Sequence, residues 1–77
     1  MSRTKYDEYA EVLERSDGFP QIVEFDYGGS GVARWYAANE VIVLTHFHHP
    51  DVKEGWTVMQ FFHKDGTVEE MYEHNKS

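Results

Sequence analysis

The residues in this chain that could do chemistry are concentrated in one run, Thr45-His46-Phe47-His48-His49-Pro50-Asp51. His46 and His48 are two apart, and on a strand that spacing projects both imidazoles to one face. His74 is the third nitrogen donor that such a site would need. Three imidazoles can hold zinc and leave one position open, where the metal would activate water. The alternative is that His46 and His48 are half-buried strand residues bonded to their neighbours, with His49 in a loop. His-rich tracts are compositional signals only. We therefore expect no metal and no cofactor, and keep His46, His48 and His74 as the metal candidates.

The same run resembles the metal-binding signature of the metallo-β-lactamase fold, where a buried apolar strand leads into His-x-His-x-Asp-His. His46 and His48 match the first two ligands, but Pro50 stands at the aspartate position and Asp51 at the last histidine. Half the ligand set is absent, and that fold needs a far longer chain, so the homology is not adopted. Other catalytic arrangements fail as well. Ser2, Ser16, Ser30 and Ser77 fall in turns or termini, away from any strand-to-helix elbow. Gly28-Gly29-Ser30-Gly31 lacks the following Lys-Ser/Thr and helix of a phosphate loop. Glu24 and Asp26 would share a strand face, where two solvated acids are commoner than a catalytic pair. We expect a protein that is not an enzyme.

The elements that position these residues read clearly. Thr4 and Asp7 form a capping box, and Tyr6, Tyr9, Ala10, Val12 and Leu13 recur at helical spacing. Asp17-Gly18 and Pro20 stop the helix, which we place at about 5–16. Alternation then predicts strands at about 21–27, 32–37, 41–48, 56–63 and 67–74. Gly28–Gly31 and Ala38-Asn39 are turns, 49–55 is a loop, and Lys64-Asp65-Gly66 is a strong hairpin signal. Asn75-Lys76-Ser77 is expected to fray. The fold class is α+β, an N-terminal helix packed on a five-stranded antiparallel meander sheet. The alternative is a strongly curled SH3-like barrel carrying an N-terminal helix.

Val41–His48 and Trp56–His63 are apolar on both alternating faces, which a one-sided sheet does not require. The turns pair Leu44 with Gln60 and Phe61 with Glu69. One face then collects Trp35, Ile42, Leu44, His46, His48, Trp56, Val58, Phe62, Val68, Tyr72 and His74. The other collects Val23, Phe25, Tyr36, Val41, Val43, Phe47, Met59, Phe61 and Met71. The second set is the more continuously apolar, so the helix is expected there. A twelve-residue helix is about 18 Å long and screens only part of one face. The remaining face is then expected to meet itself in a homodimer.

Composition narrows the function. Seventy-seven residues make one domain, without cysteine and rich in aromatic rings (five Tyr, five Phe, two Trp). Fourteen acids against seven Lys and Arg give a net charge of −7, which disfavours direct binding to nucleic acid or an anionic membrane. The polar N-terminal residues and the lack of any apolar run near twenty residues suggest a cytoplasmic protein. Small, acidic, motif-poor domains of this kind are similar, as a class, to inhibitors that phages and mobile elements direct against host defence or transcription machinery. The expected function is binding to a larger protein with a basic surface, through a duplex-mimicking acidic face. Asp7, Glu11 and Glu14 would form its acidic stripe, and Trp35, Trp56 and Tyr72 its aromatic anchors.

Overall fold

The computed structural model describes residues 3–74. Ser2, Ser77 and the expected fraying of Asn75-Lys76-Ser77 lie outside the described residues. Helix α1 (Lys5–Arg15) precedes β1 (Gln21–Glu24), β2 (Ser30–Tyr36), β3 (Val41–His46), β4 (Trp56–His63) and β5 (Val68–His74). The strands form one antiparallel sheet in chain order, β1 to β5. β1 and β5 are its two edges, so the sheet is an open meander and not the barrel alternative. No helix among the described residues is long and apolar enough to cross a membrane.

Local chemistry sets both ends of α1. Thr4 Oγ1 accepts from the Asp7 backbone N–H at 3.2 Å, and Asp7 Oδ2 accepts from the Thr4 N–H at 3.1 Å. That reciprocal pair satisfies two donors the first turn would otherwise leave open. At the other end Gly18 N–H bonds the Leu13 carbonyl at 2.8 Å and Asp17 N–H bonds the Glu14 carbonyl at 3.2 Å. Asp17 and Gly18 take positive φ of 58° and 86°, closing the helix with a Schellman turn.

Tyr6 and Leu13 point from α1 onto Ala33, Ile42, Leu44 and Phe62, with Tyr9, Ala10, Val23, Phe25 and Trp35 packed around them. This corrects the expected packing. The helix covers the face carrying Trp35, Ile42, Leu44, Val58 and Phe62, and leaves open the face carrying Tyr36, Val41, Val43, Met59, Phe61 and Met71. Two features decide the choice. On β2 the helix side presents Ala33, small enough for the helix to come close, while the other side presents Arg34. Glu24, His63, Glu69 and Glu73 share the open face with Arg34, and a helix laid there would strip water from all of them.

The register of β3, β4 and β5 is the expected one, with Leu44 opposite Gln60 and Phe61 opposite Glu69. β1 differs. It ends at Glu24, where Phe25 N–H turns to the Gly29 carbonyl at 2.9 Å, so Asp26 and Tyr27 belong to the turn and Asp26 is not on a strand with Glu24. Val23 pairs with Gly31, which itself pairs with His46, so Val23 lies on the helix side, opposite to the face expected for it. Phe25 follows it there. Ser30 and Gly31, expected in the connection, open β2 instead. A Cβ on Gly31 would overlap the Thr45 carbonyl oxygen and lie 3.0 Å from the Phe25 ring. Gly31→Ala is therefore expected to lower unfolding stability by about 1–3 kcal/mol in denaturant titration. An unchanged midpoint would mean the Phe25 ring does not lie over this residue.

Candidate functional site

Two clusters stand out, one built from histidine and one from acids. His46, at the end of β3, is buried at 6% exposure with both ring nitrogens engaged. Glu70 accepts a bond from Gln60 Nε2 at 2.9 Å, which turns the Gln60 carbonyl oxygen toward His46 Nε2 at 2.7 Å. His46 Nε2 must then carry the proton and donate. Nδ1 lies 2.8 Å from the Tyr27 hydroxyl, which donates to the His48 carbonyl oxygen at 2.8 Å. Phe25 stacks on the imidazole with ring centroids 4.3 Å apart. Burial pushes the Tyr27 phenol above the ordinary tyrosine range, which favours its protonated form.

The three metal candidates do not converge. β3 ends at His46, so His48 lies in the loop, exposed, and does not project beside His46 from one strand. His74 pairs across the sheet with Trp56, its ring 4.9 Å from the indole. No group of three His, Cys, Asp or Glu residues that could hold a metal occurs among the described residues. The histidine that does approach His46 is His49, with ring centroids 5.3 Å apart. As placed, His46 ties the β1–β2 turn to the sheet.

The acids make the second cluster. Asp7, Glu11 and Glu14 run along one side of α1, Asp17 follows in its closing turn, and with Trp35, Asn39 and Lys64 they line an open groove of about 1050 Å³. Tyr6 forms part of its wall, 5.9 Å from the Trp35 ring, and donates to the Asn39 carbonyl at 2.6 Å. That bond holds a turn in which Ala37, Ala38 and Asn39 all take positive φ, of 52°, 58° and 69°. Such residues are strained when they carry a Cβ, and runs of them collect at functional positions. Burial raises the Tyr6 phenol above its ordinary range, and Glu40, Glu14 and Asp7 add to the shift, a sign of the negative field here.

The expected partner-binding residues divide between places. Asp7, Glu11, Glu14 and Trp35 share the groove, whereas Trp56 and Tyr72 do not line it. These two lie on the helix-side face near the β5 edge, 43% and 54% exposed. Within the stripe, Glu11 is already engaged by Arg3 and by Arg15. Glu14 and Asp17 have no ion-pair partner among the described residues. In the sequence Asp17 signals only a helix stop, and the Schellman turn is what brings it beside the groove. The strained turn at 37–39 has no sequence signal beyond Asn39.

The Arg3 guanidinium, and then Arg15, hold the Glu11 carboxyl below its ordinary range. A lowered folded value means that Glu11 contributes stability above its unfolded pKa of about 4.3, and that this is lost as pH falls through the folded value. Carboxyl-resolved NMR titration should find the Glu11 midpoint below those of the unpaired glutamates, and Arg3→Ala should move it upward. A midpoint indifferent to Arg3→Ala would contradict the pairing.

Comparison of the chain with protein-family profiles, with curated proteins and with solved structures gave no match.

Proposed function

We propose that this protein is a small acidic, non-enzymatic binding domain that docks on a basic site of a larger protein. The observation that carries the reading is the groove beside α1. It combines carboxylates not neutralised within the fold, Glu14 and Asp17, with a half-buried Trp35 and a strained turn. Lys or Arg side chains entering it would meet carboxylates along one wall and an aromatic face on the other. The net charge of −7 would steer the encounter, and burial of Trp35 would supply affinity. Occupying a surface that otherwise holds nucleic-acid phosphates would make the domain an inhibitor, of the duplex-mimicking kind that phages or mobile elements direct at host machinery. Affinity for the captured partner should fall at least about tenfold between low salt and about 0.5 M, mainly through the on-rate. Glu14→Lys should weaken binding with α1 still folded by circular dichroism. Binding that is unchanged in both tests would sink the reading.

A second reading, a homodimer, is favoured by the uncovered sheet face. Val43 is 1% exposed there without any helix above it, yet Ile22, Tyr36 and Met71 are 71%, 57% and 50% exposed. This is the face opposite to the one expected to self-associate. A two-fold contact would bury the same patch on both copies. Sedimentation at micromolar concentration should return twice the monomer mass, and Phe61→Glu should halve it. A monomer at high concentration excludes the contact.

A further inference from the structure

The two edges of the sheet are built differently. β1 is only four residues long, follows Pro20 and breaks into a turn at Phe25, so it offers little to an incoming strand. β5 is seven residues long, pairs with β4 residue for residue without a bulge, and is exposed at every position. Its backbone polarity follows from the hairpin. His63 N–H bonds the Thr67 carbonyl at 2.8 Å, so His63 and Thr67 are a hydrogen-bonded pair. Such pairs recur at every second position of an antiparallel ladder. Glu69, Met71 and Glu73 therefore spend their backbone groups on β4, while those of Val68, Glu70, Tyr72 and His74 face outward.

We propose that the outer edge of β5 accepts a sixth strand, an extended basic segment of a partner protein. The side chains state what that segment must carry. On the open face Glu69 and Glu73 flank Met71, which is 50% exposed, so cationic residues belong opposite the two glutamates and an apolar one beside Met71. On the helix side Val68 and Tyr72, 49% and 54% exposed, flank Glu70, where the order of types is reversed. The occupant is an extended chain in which pairs of Lys or Arg alternate with pairs of β-branched residues. Backbone bonds would supply affinity and charge the selection. A second copy of this chain does not fit. The register that overlaps the whole of β5 with itself sets Glu69 opposite Glu73 twice, and like charges directly opposed destabilise a ladder. This edge is separate from the α1 groove.

The test uses the full chain labelled with nitrogen-15 and a capped peptide of about nine residues in which Lys-Lys pairs alternate with Val-Val pairs. On adding peptide, hydrogen exchange of the Glu70 and Tyr72 amides should slow at least about tenfold, with little change at Glu69 and Met71, whose amides are already bonded. The same peptide methylated on alternate backbone nitrogens should lose the effect. Tyr72→Pro removes one outward N–H and should weaken binding at least about tenfold, because proline is tolerated on a solvent-facing edge. Glu69→Lys with Glu73→Lys tests the charge selection should the proline variant fail to fold, and should weaken binding similarly. Three results would overturn the proposal: no slowing at millimolar peptide, equal slowing with the methylated peptide, or changes confined to Tyr6 and Trp35. In the first case the glutamates merely guard the edge against self-pairing.

Discussion

One eleven-residue helix has to cover a five-stranded sheet, and the rest of the structure depends on where it lies. At about 16 Å it reaches only the middle of one face. Leu13 sits at the centre of that contact, 0% exposed together with Ala33 and Ile42. Ala33 lets α1 sit close to β2, which in turn sets Trp35 beside the helix with a groove between them. The periphery that the helix cannot reach is closed by other means. At one side Phe25 and Tyr27 fold over His46. At the other, β5 is left exposed along its whole length.

Charge is distributed in keeping with that geometry. Glutamates and aspartates occupy the outer side of α1, the β1 edge and β5, which are the surfaces the core leaves in water. Within the helix stripe they are not equivalent. Glu11 is held by two arginines, and Asp7 is spent on the capping box, so the available charge of the groove falls to Glu14 and Asp17. On β5, Glu69 lies 2.6 Å from His63 and Glu70 orients Gln60 toward His46. Each of these two glutamates thus has an internal contact, while all of β5 is open to solvent. A strongly acidic surface also opposes association of like copies, which makes a basic partner the better match for groove and edge alike.

Much of the fold was legible because its signals are local. The Thr4 and Asp7 box, the Asp17-Gly18 stop and the Lys64-Asp65-Gly66 hairpin each impose their geometry through neighbouring residues. Hairpin turns then carry the register of β3, β4 and β5. What the pattern misread depends on space and on the cost of burying charge. Counting apolar residues favoured the face of Val43, Phe61 and Met71 for the helix, but Ala33 and Arg34 decide against it. β1 was given the wrong face because its turn begins at Phe25, before the glycines that seemed to mark it. The histidine cluster looked like a ligand set because spacing alone cannot tell that Gln60 and Tyr27 take both nitrogens of His46. The acidic stripe was legible from helical spacing, but its meeting with Trp35 and Asp17 is a product of packing.

Nuclear Overhauser contacts from the Leu13 methyl groups test the placement of α1 most directly. Contacts to Ile42, Leu44 and the Phe62 ring are predicted, with none to Val43 or Phe61 on the other face. Contacts to Val43 and Phe61 instead would put the helix on the opposite side of the sheet. That result would dissolve the groove beside Trp35 and contradict the account from the core outward.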